Sequence, residues 1–128
     1  MKANVVNPVD GIYPATSDYV HAMEVIDPKR FLFVSGTMGL DAQGVAPVTL
    51  DEQLKLIWDN IRRILAKANM SVDNIMRLTS YLSSRDQVQK NQDARIAALG
   101  ERRIPTTAIV VTLLDPAWLI EIEIVAAA

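Results

Sequence analysis

Residues Ile104–Ala128, IPTTAIVVTLLDPAWLIEIEIVAAA, hold two apolar runs of strand length on either side of Asp115-Pro116. In the second run, Leu119 to Val125, Ile120, Ile122 and Ile124 alternate with Glu121 and Glu123. That period of two marks a strand with one face in a core and one face polar. The first run, Thr107 to Leu114, is apolar on both faces, so it predicts a strand that cannot meet water on either side. The two read as the last strands of the chain, with Asp115-Pro116 turning between them.

The elements before this pair follow from capping and periodicity. Ser84-Arg85-Asp86-Gln87 fits a capping box, and a helix runs from it to Leu99, where Gly100 is placed to end it. Its apolar side rests on Val88, Ala94, Ile96, Ala98 and Leu99, which predicts a surface helix. Ile75 to Leu82 suits a strand after the turn-like Ser71-Val72-Asp73-Asn74. Thr49-Leu50-Asp51-Glu52 is a second capping box. From it Leu50, Leu54, Ile57, Trp58, Ile61, Ile64, Leu65 and Ala68 recur at helical spacing, with Lys55, Asp59, Arg62, Arg63 and Lys67 on the other side. Gly36 to Gly44 reads as an irregular loop. Val20 to Ile26 and Phe31 to Ser35 read as a hairpin about Asp27-Pro28-Lys29-Arg30. The order is ββαβαββ, and one sheet with both helices on one face is the simplest way to bury the two helical stripes, giving an α+β domain spanning residues 1–128. The other sheet face then needs cover, which predicts a homo-oligomer.

Composition narrows the function. The chain has 128 residues, a formal net charge of -2 and no cysteine. A chain of this size makes one domain that buries roughly two thirds of its unfolded surface. Absent cysteine excludes thiol catalysis, disulfides and thiolate metal sites. No basic stripe suits a nucleic-acid backbone, so nucleic acid is not the expected primary partner. No signal-peptide-like start and no run of eighteen uncharged apolar residues occur, which predicts a cytoplasmic protein without a membrane partner.

Several stretches together resemble the RidA/YjgF family, also labelled endoribonuclease L-PSP: Ser17-Asp18-Tyr19-Val20-His21-Ala22, Phe33-Val34-Ser35-Gly36, Asn91, and Ile104-Pro105 through Leu119-Ile120-Glu121-Ile122-Glu123. The resemblance covers nearly the whole chain. It implies a chorismate-mutase-like fold assembled as a homotrimer, with the sheets forming a central barrel and small-molecule clefts between subunits. It also implies cofactor-free hydrolysis of reactive enamines and imines, such as 2-iminobutanoate, to ammonia and a 2-keto acid. On that resemblance Glu121 handles the attacking water and Tyr19 lines the cleft, while Gly36 and its neighbour Ser35 help hold the substrate. Asn91, His21, Thr37 and Ile109 shape the pocket.

Thr107 stands where such proteins carry the arginine that grips the substrate carboxylate. Thr37 and Ile109 likewise replace a frequent Gln and Cys. A threonine hydroxyl offers one neutral donor, whereas a guanidinium offers two charged ones. Losing roughly 2–4 kcal/mol of anchoring weakens binding about thirty- to thousandfold, which predicts poor turnover of 2-iminobutanoate. A non-catalytic metabolite-binding trimer is the alternative, and ribonuclease activity is a third reading that the charge balance disfavours.

Some residues admit two readings. Glu121 and Glu123 share a strand face, as a carboxylate pair tuned for proton transfer or as a solvated edge. Tyr19 and His21 also share a face; His21, the one histidine, is a pocket base or an ordinary hydrogen-bonded residue, and no set of metal ligands accompanies it. Arg102 and Arg103 replace the missing positive charge or are solvated. Gly36 to Gly39 is a possible amide nest without dinucleotide or P-loop spacing. Trp58 and Trp118 read as packing anchors.

Overall fold

A computed structural model describes residues 1–128. The long apolar stripe forms α1, Leu50–Lys67, whose Thr49 hydroxyl accepts the Glu52 N–H. Leu54, Ile57, Trp58, Ile61 and Leu65 are buried, so Trp58 is a packing anchor as predicted, while Ile64 lies at the margin of the stripe and is exposed. The helix packs on a mixed sheet of β3 (Phe31–Met38), β6 (Ile120–Ala127), β4 (Ile75–Leu82) and β5 (Thr106–Val110), in that order. A short 3-10 turn, Arg85–Gln87, carries the capping box at Ser84. It leads into α2, Val88–Leu99, after which Gly100 takes φ 65° and donates to the Ile96 carbonyl. The result is the expected α+β arrangement, two helices on a mixed sheet. No helix is long and apolar enough to cross a membrane.

One expectation is sharpened and three are corrected. First, Asp115-Pro116 turns the chain as expected, but the two strands it joins do not pair with each other. β5 runs parallel to β4, and β6 inserts between β3 and β4, antiparallel to both. The crossover through α2 returns the chain parallel to β4. The slot between β3 and β4 then takes the strand with the strongest alternation, burying Ile120, Ile122, Ile124 and Ala126 against the helices.

Second, β2 (Ala22–Ile26) does not pair with β3. It pairs antiparallel with β1 (Lys2–Val6), a strand the sequence reading missed, as a separate two-stranded sheet. Asp27 takes φ 52°, and the amides of Lys29 and Arg30 donate to the Ala128 carbonyl, so the turn is tied to the end of β6 instead of closing a hairpin. Third, β5 ends at Val110 and is not buried on both faces: Ile109 and Val110 are 42% and 47% exposed. Phe31 and Phe33 on β3, the opposite edge strand, are also exposed.

Fourth, α2 turns polar residues inward. Asn91, Arg95 and Leu99 are buried, while Val88 is exposed. The reason is a docking contact. Arg95 donates to the Asp18 carbonyl at 2.7 Å and to its carboxylate at 2.8 Å, pinning the segment before β2 onto the helix.

Burial raises the Asp18 pKa, but hydrogen bonds from Thr16 and Arg95 outweigh it and hold the carboxyl below its usual range. A depressed folded pKa gives stability that is present above the unfolded value, near 3.9, and is lost as pH falls through the folded one. Asp18→Asn is therefore expected to cost roughly 3 kcal/mol at pH 7, leaving Arg95 buried without its counter-charge. Urea denaturation at fixed protein concentration should show that difference shrinking below about pH 4, where the parent carboxylate itself protonates.

Candidate functional site

The sheet has a helix-covered face and an open face, and the register says what shares the open one. Glu121 lies opposite Tyr81, and Glu123 opposite Thr79, while across β4 Thr107 lies beside Thr79 and Ile109 beside Tyr81. Arg77 lies opposite Val125. Carboxylates, phenol, guanidinium and the Thr107 hydroxyl are thus brought to one surface by strand alternation alone.

A bulge between Val34 and Thr37 shifts β3 against β6 and brings Gly36 beneath Glu121. A Cβ on Gly36 would come within 1.9 Å of the Glu121 Oε1. Glycine is needed there because the carboxylate occupies the space of a side chain. Glu121 receives no hydrogen bond from the chain, whereas Glu123 accepts the Tyr81 hydroxyl at 2.6 Å. That bond is the main reason the Tyr81 pKa is raised, with burial and the charges of Glu123 and Glu121 adding to it. The two glutamates are therefore unlike: Glu123 is held by a phenol, and the Glu121 carboxylate has no hydrogen-bond partner within the chain.

Tyr19, His21 and Thr107 come together in a cavity of about 530 Å³ that Tyr13, Thr106 and Arg77 also line. His21 sits edge-on to both tyrosine rings, with centroids 5.1 Å from Tyr13 and 5.9 Å from Tyr19, and its Nε2 lies 2.9 Å from the Tyr13 carbonyl. Its backbone N–H donates to Asn7. Ser35 lies instead in a neighbouring cavity of about 360 Å³ with Phe33, Thr79 and Glu123, and Arg77 borders both. Asn91 lies behind Tyr19, in a smaller space of about 180 Å³ beside Arg95, and its Oδ1 has no donor. Thr37 is opposite buried Ile122, with its hydroxyl closed onto the Ser35 carbonyl.

Within one chain, then, Glu121 and Gly36 are apart from Tyr19, His21 and Thr107. Neither Arg102 nor Arg103 replaces the missing charge. Arg102 donates to the Val72 and Ile75 carbonyls, and Arg103 to those of Ser17, Gly100 and Arg102. Arg77, Tyr13 and Tyr81 were not anticipated. The alternation of Arg77, Thr79 and Tyr81 in β4 was a signal for two of them; Tyr13, in irregular chain, had none. No three potential metal-ligating side chains gather in the structure.

A sequence profile of the endoribonuclease L-PSP family matches residues 12–128. A RutC family protein of Pyrococcus abyssi is 28% identical over 105 residues, covering 80% of this chain and 83% of that protein. The structure of YyfB of Yersinia pestis, a member of the conserved Rid protein family, superposes with a TM-score of 0.85 at 25% identity over 100% of both chains. RidA of an Antarctic Psychrobacter superposes with a TM-score of 0.73 at 20% identity, over 95% of this chain and 98% of that one, a likeness of fold.

Gly36→Ala is expected to fold, because the atom its Cβ meets is the movable end of a side chain. It should displace the Glu121 carboxylate. A crystal structure of the variant checks the carboxylate position, and thermal denaturation checks that the melting temperature stays near that of the parent.

Proposed function

Because the chain belongs to the endoribonuclease L-PSP family, the Rid/YjgF proteins, we propose that it assembles as a homotrimer and hydrolyses a small enamine or imine in clefts between subunits, without a cofactor. The observation that carries this reading is the unbonded Glu121 carboxylate, held over Gly36 on an open sheet face. Two further features support the assembly. Edge strands β3 and β5 carry exposed Phe31, Phe33, Ile109 and Val110, and apolar edges of this kind are stable when another chain covers them. The roles on the two sides of the cleft are also split, with Glu121 and Gly36 at one place and Tyr19, His21 and Thr107 at another, so a neighbouring copy would complete each site.

In the catalytic step Glu121 takes a proton from water as its oxygen attacks the imine carbon. Return of that proton to the imine nitrogen gives the carbinolamine. Its hydroxyl proton then passes through the same carboxylate to nitrogen as the C–N bond breaks, releasing ammonia and leaving a carbonyl product; an enamine first tautomerises to the imine. Tyr19 orients the substrate, and Thr107, His21 and Ser35 shape its surroundings. A general base held in position contributes typically 10²–10⁴-fold. The second reading is a metabolite-binding trimer without turnover, favoured by Thr107 in place of a charged anchor. RNA cleavage, which the family label suggests, is disfavoured by the net charge of -2.

Freshly generated imines and enamines offered to the purified protein should give steady ammonia release. Glu121→Gln should lower kcat about a hundredfold or more. Binding without turnover would establish the second reading instead. Light scattering should return three times the chain mass, and Phe33→Glu should reduce it; a monomeric parent would remove the intersubunit cleft.

A further inference from the structure

We infer that Arg77, entering from β4, supplies the anion-binding guanidinium that position 107 lacks, and that the substrate of this cleft therefore keeps a carboxylate. The inference deepens the proposed hydrolase reading and rests on it for the identity of the ligand. Arg77 borders the cavity that holds Tyr19, His21 and Thr107, and it is exposed on the open face of the sheet. Its guanidinium makes no hydrogen bond and no ion pair within the chain, unlike those of Arg95, Arg102 and Arg103, which donate to backbone carbonyls and, for Arg95, to the Asp18 carboxylate.

The carboxylate that shares a cavity with it does not pair with it. Glu123 borders the adjoining cavity with Arg77 and accepts the Tyr81 hydroxyl at 2.6 Å through one oxygen, but makes no ion pair with the guanidinium. No Asp or Glu lines the cavity that Arg77 shares with Thr107. What remains is one cation in a largely apolar cavity that also holds the Tyr13, Tyr19 and Thr107 hydroxyls and the His21 imidazole, the Thr106 hydroxyl being committed to the Ile104 carbonyl. Such a pocket selects a small anion with further polar groups near it.

The geometry permits the exchange of one strand for another. Thr107 pairs with Thr79 in the parallel register of β4 and β5, so Arg77 is its diagonal neighbour. Diagonal positions on adjacent strands lie roughly 7–8 Å apart, within reach of a long side chain. A guanidinium based at residue 77 can therefore meet a carboxylate lying against the Thr107 hydroxyl. Thr107 leaves room for that approach and adds one neutral donor, where an arginine at 107 would fill the same space.

The test uses binding, so it stands independently of turnover. Chemical-shift titration of the full-length protein with 2-oxobutanoate, and separately with 2-oxobutanamide, compares a carboxylate with its neutral isostere. The wild type should prefer the acid by roughly ten- to hundredfold, the worth of a hydrogen bond to a charged group. Arg77→Gln should abolish that preference, weakening acid binding far more than amide binding and leaving the melting temperature unchanged, and Arg77→Lys should recover part of it. An unchanged preference in Arg77→Gln, or no preference in the wild type, overturns the assignment. The hydrolase reading is judged separately by the effect of Glu121→Gln on ammonia release.

Discussion

The alternation of β6 is the constraint on which the rest depends. Ile120, Ile122, Ile124 and Ala126 are 0–1% exposed and form the floor beneath the helices, so Glu121, Glu123 and Val125 must point the other way. A one-residue slip would bury two glutamates and expose three isoleucines, a change far too costly to be populated. Core packing thus orients the carboxylates, with no interaction of their own required. Pairing with β4 and β3 on either side then decides which groups they meet.

How the neighbours of β6 are arranged explains the glycines. The bulge at Val34/Thr37 places Gly36 against the Glu121 side chain, and Gly39 lies where a Cβ would meet the Gln53 backbone at 2.4 Å. Gln53 is 1% exposed, yet all its polar capacity is used: it donates to the Pro47 and Ala117 carbonyls and accepts the Leu119 N–H. One buried amide therefore ties the loop after β3, the first turns of α1 and the approach to β6. These residues are 64 to 66 positions apart from Gln53 on one side of the network, so their linkage belongs to the tertiary structure.

What could be read from the sequence divides along the same line. α1 and β6 were legible because each carries its own period, and Gly100 because a helix end there needs positive φ. Strand partners were not legible: a period of two says that a strand has a buried face, but not which strand lies beside it. β1 offered only a short run ending in Val5-Val6, and β2 looked like half of a hairpin until the positive φ of Asp27 diverted the chain. The inward face of α2 was legible in part: Ala94, Ala98 and Leu99 pack on the core as expected, but Arg95 and Asn91 look solvent-facing without Asp18, 77 residues away from Arg95, which makes the buried charge tolerable. Resemblance named Tyr19, Thr107, Gly36 and Glu121, yet only the folded chain separates them into two places and excludes Arg102 and Arg103.

Glu121, Glu123 and Arg77 share the open face with no ion pair among them. Glu123 accepts the Tyr81 hydroxyl, whose pKa that bond raises, while the side chains of Glu121 and Arg77 have no hydrogen-bond partner in the chain. In water an unpaired Glu121 and an unpaired Arg77 cost little. Closing this face against another chain would change that, because a buried charge without a partner is penalised by several kcal/mol. Either the cleft stays wet around both groups or something of opposite charge enters beside Arg77. On the proposed reading a small imino acid would bring its carboxylate to the guanidinium and a water would remain at the glutamate, so an assembly covering the apolar edges would also make the two charges selective for their ligand.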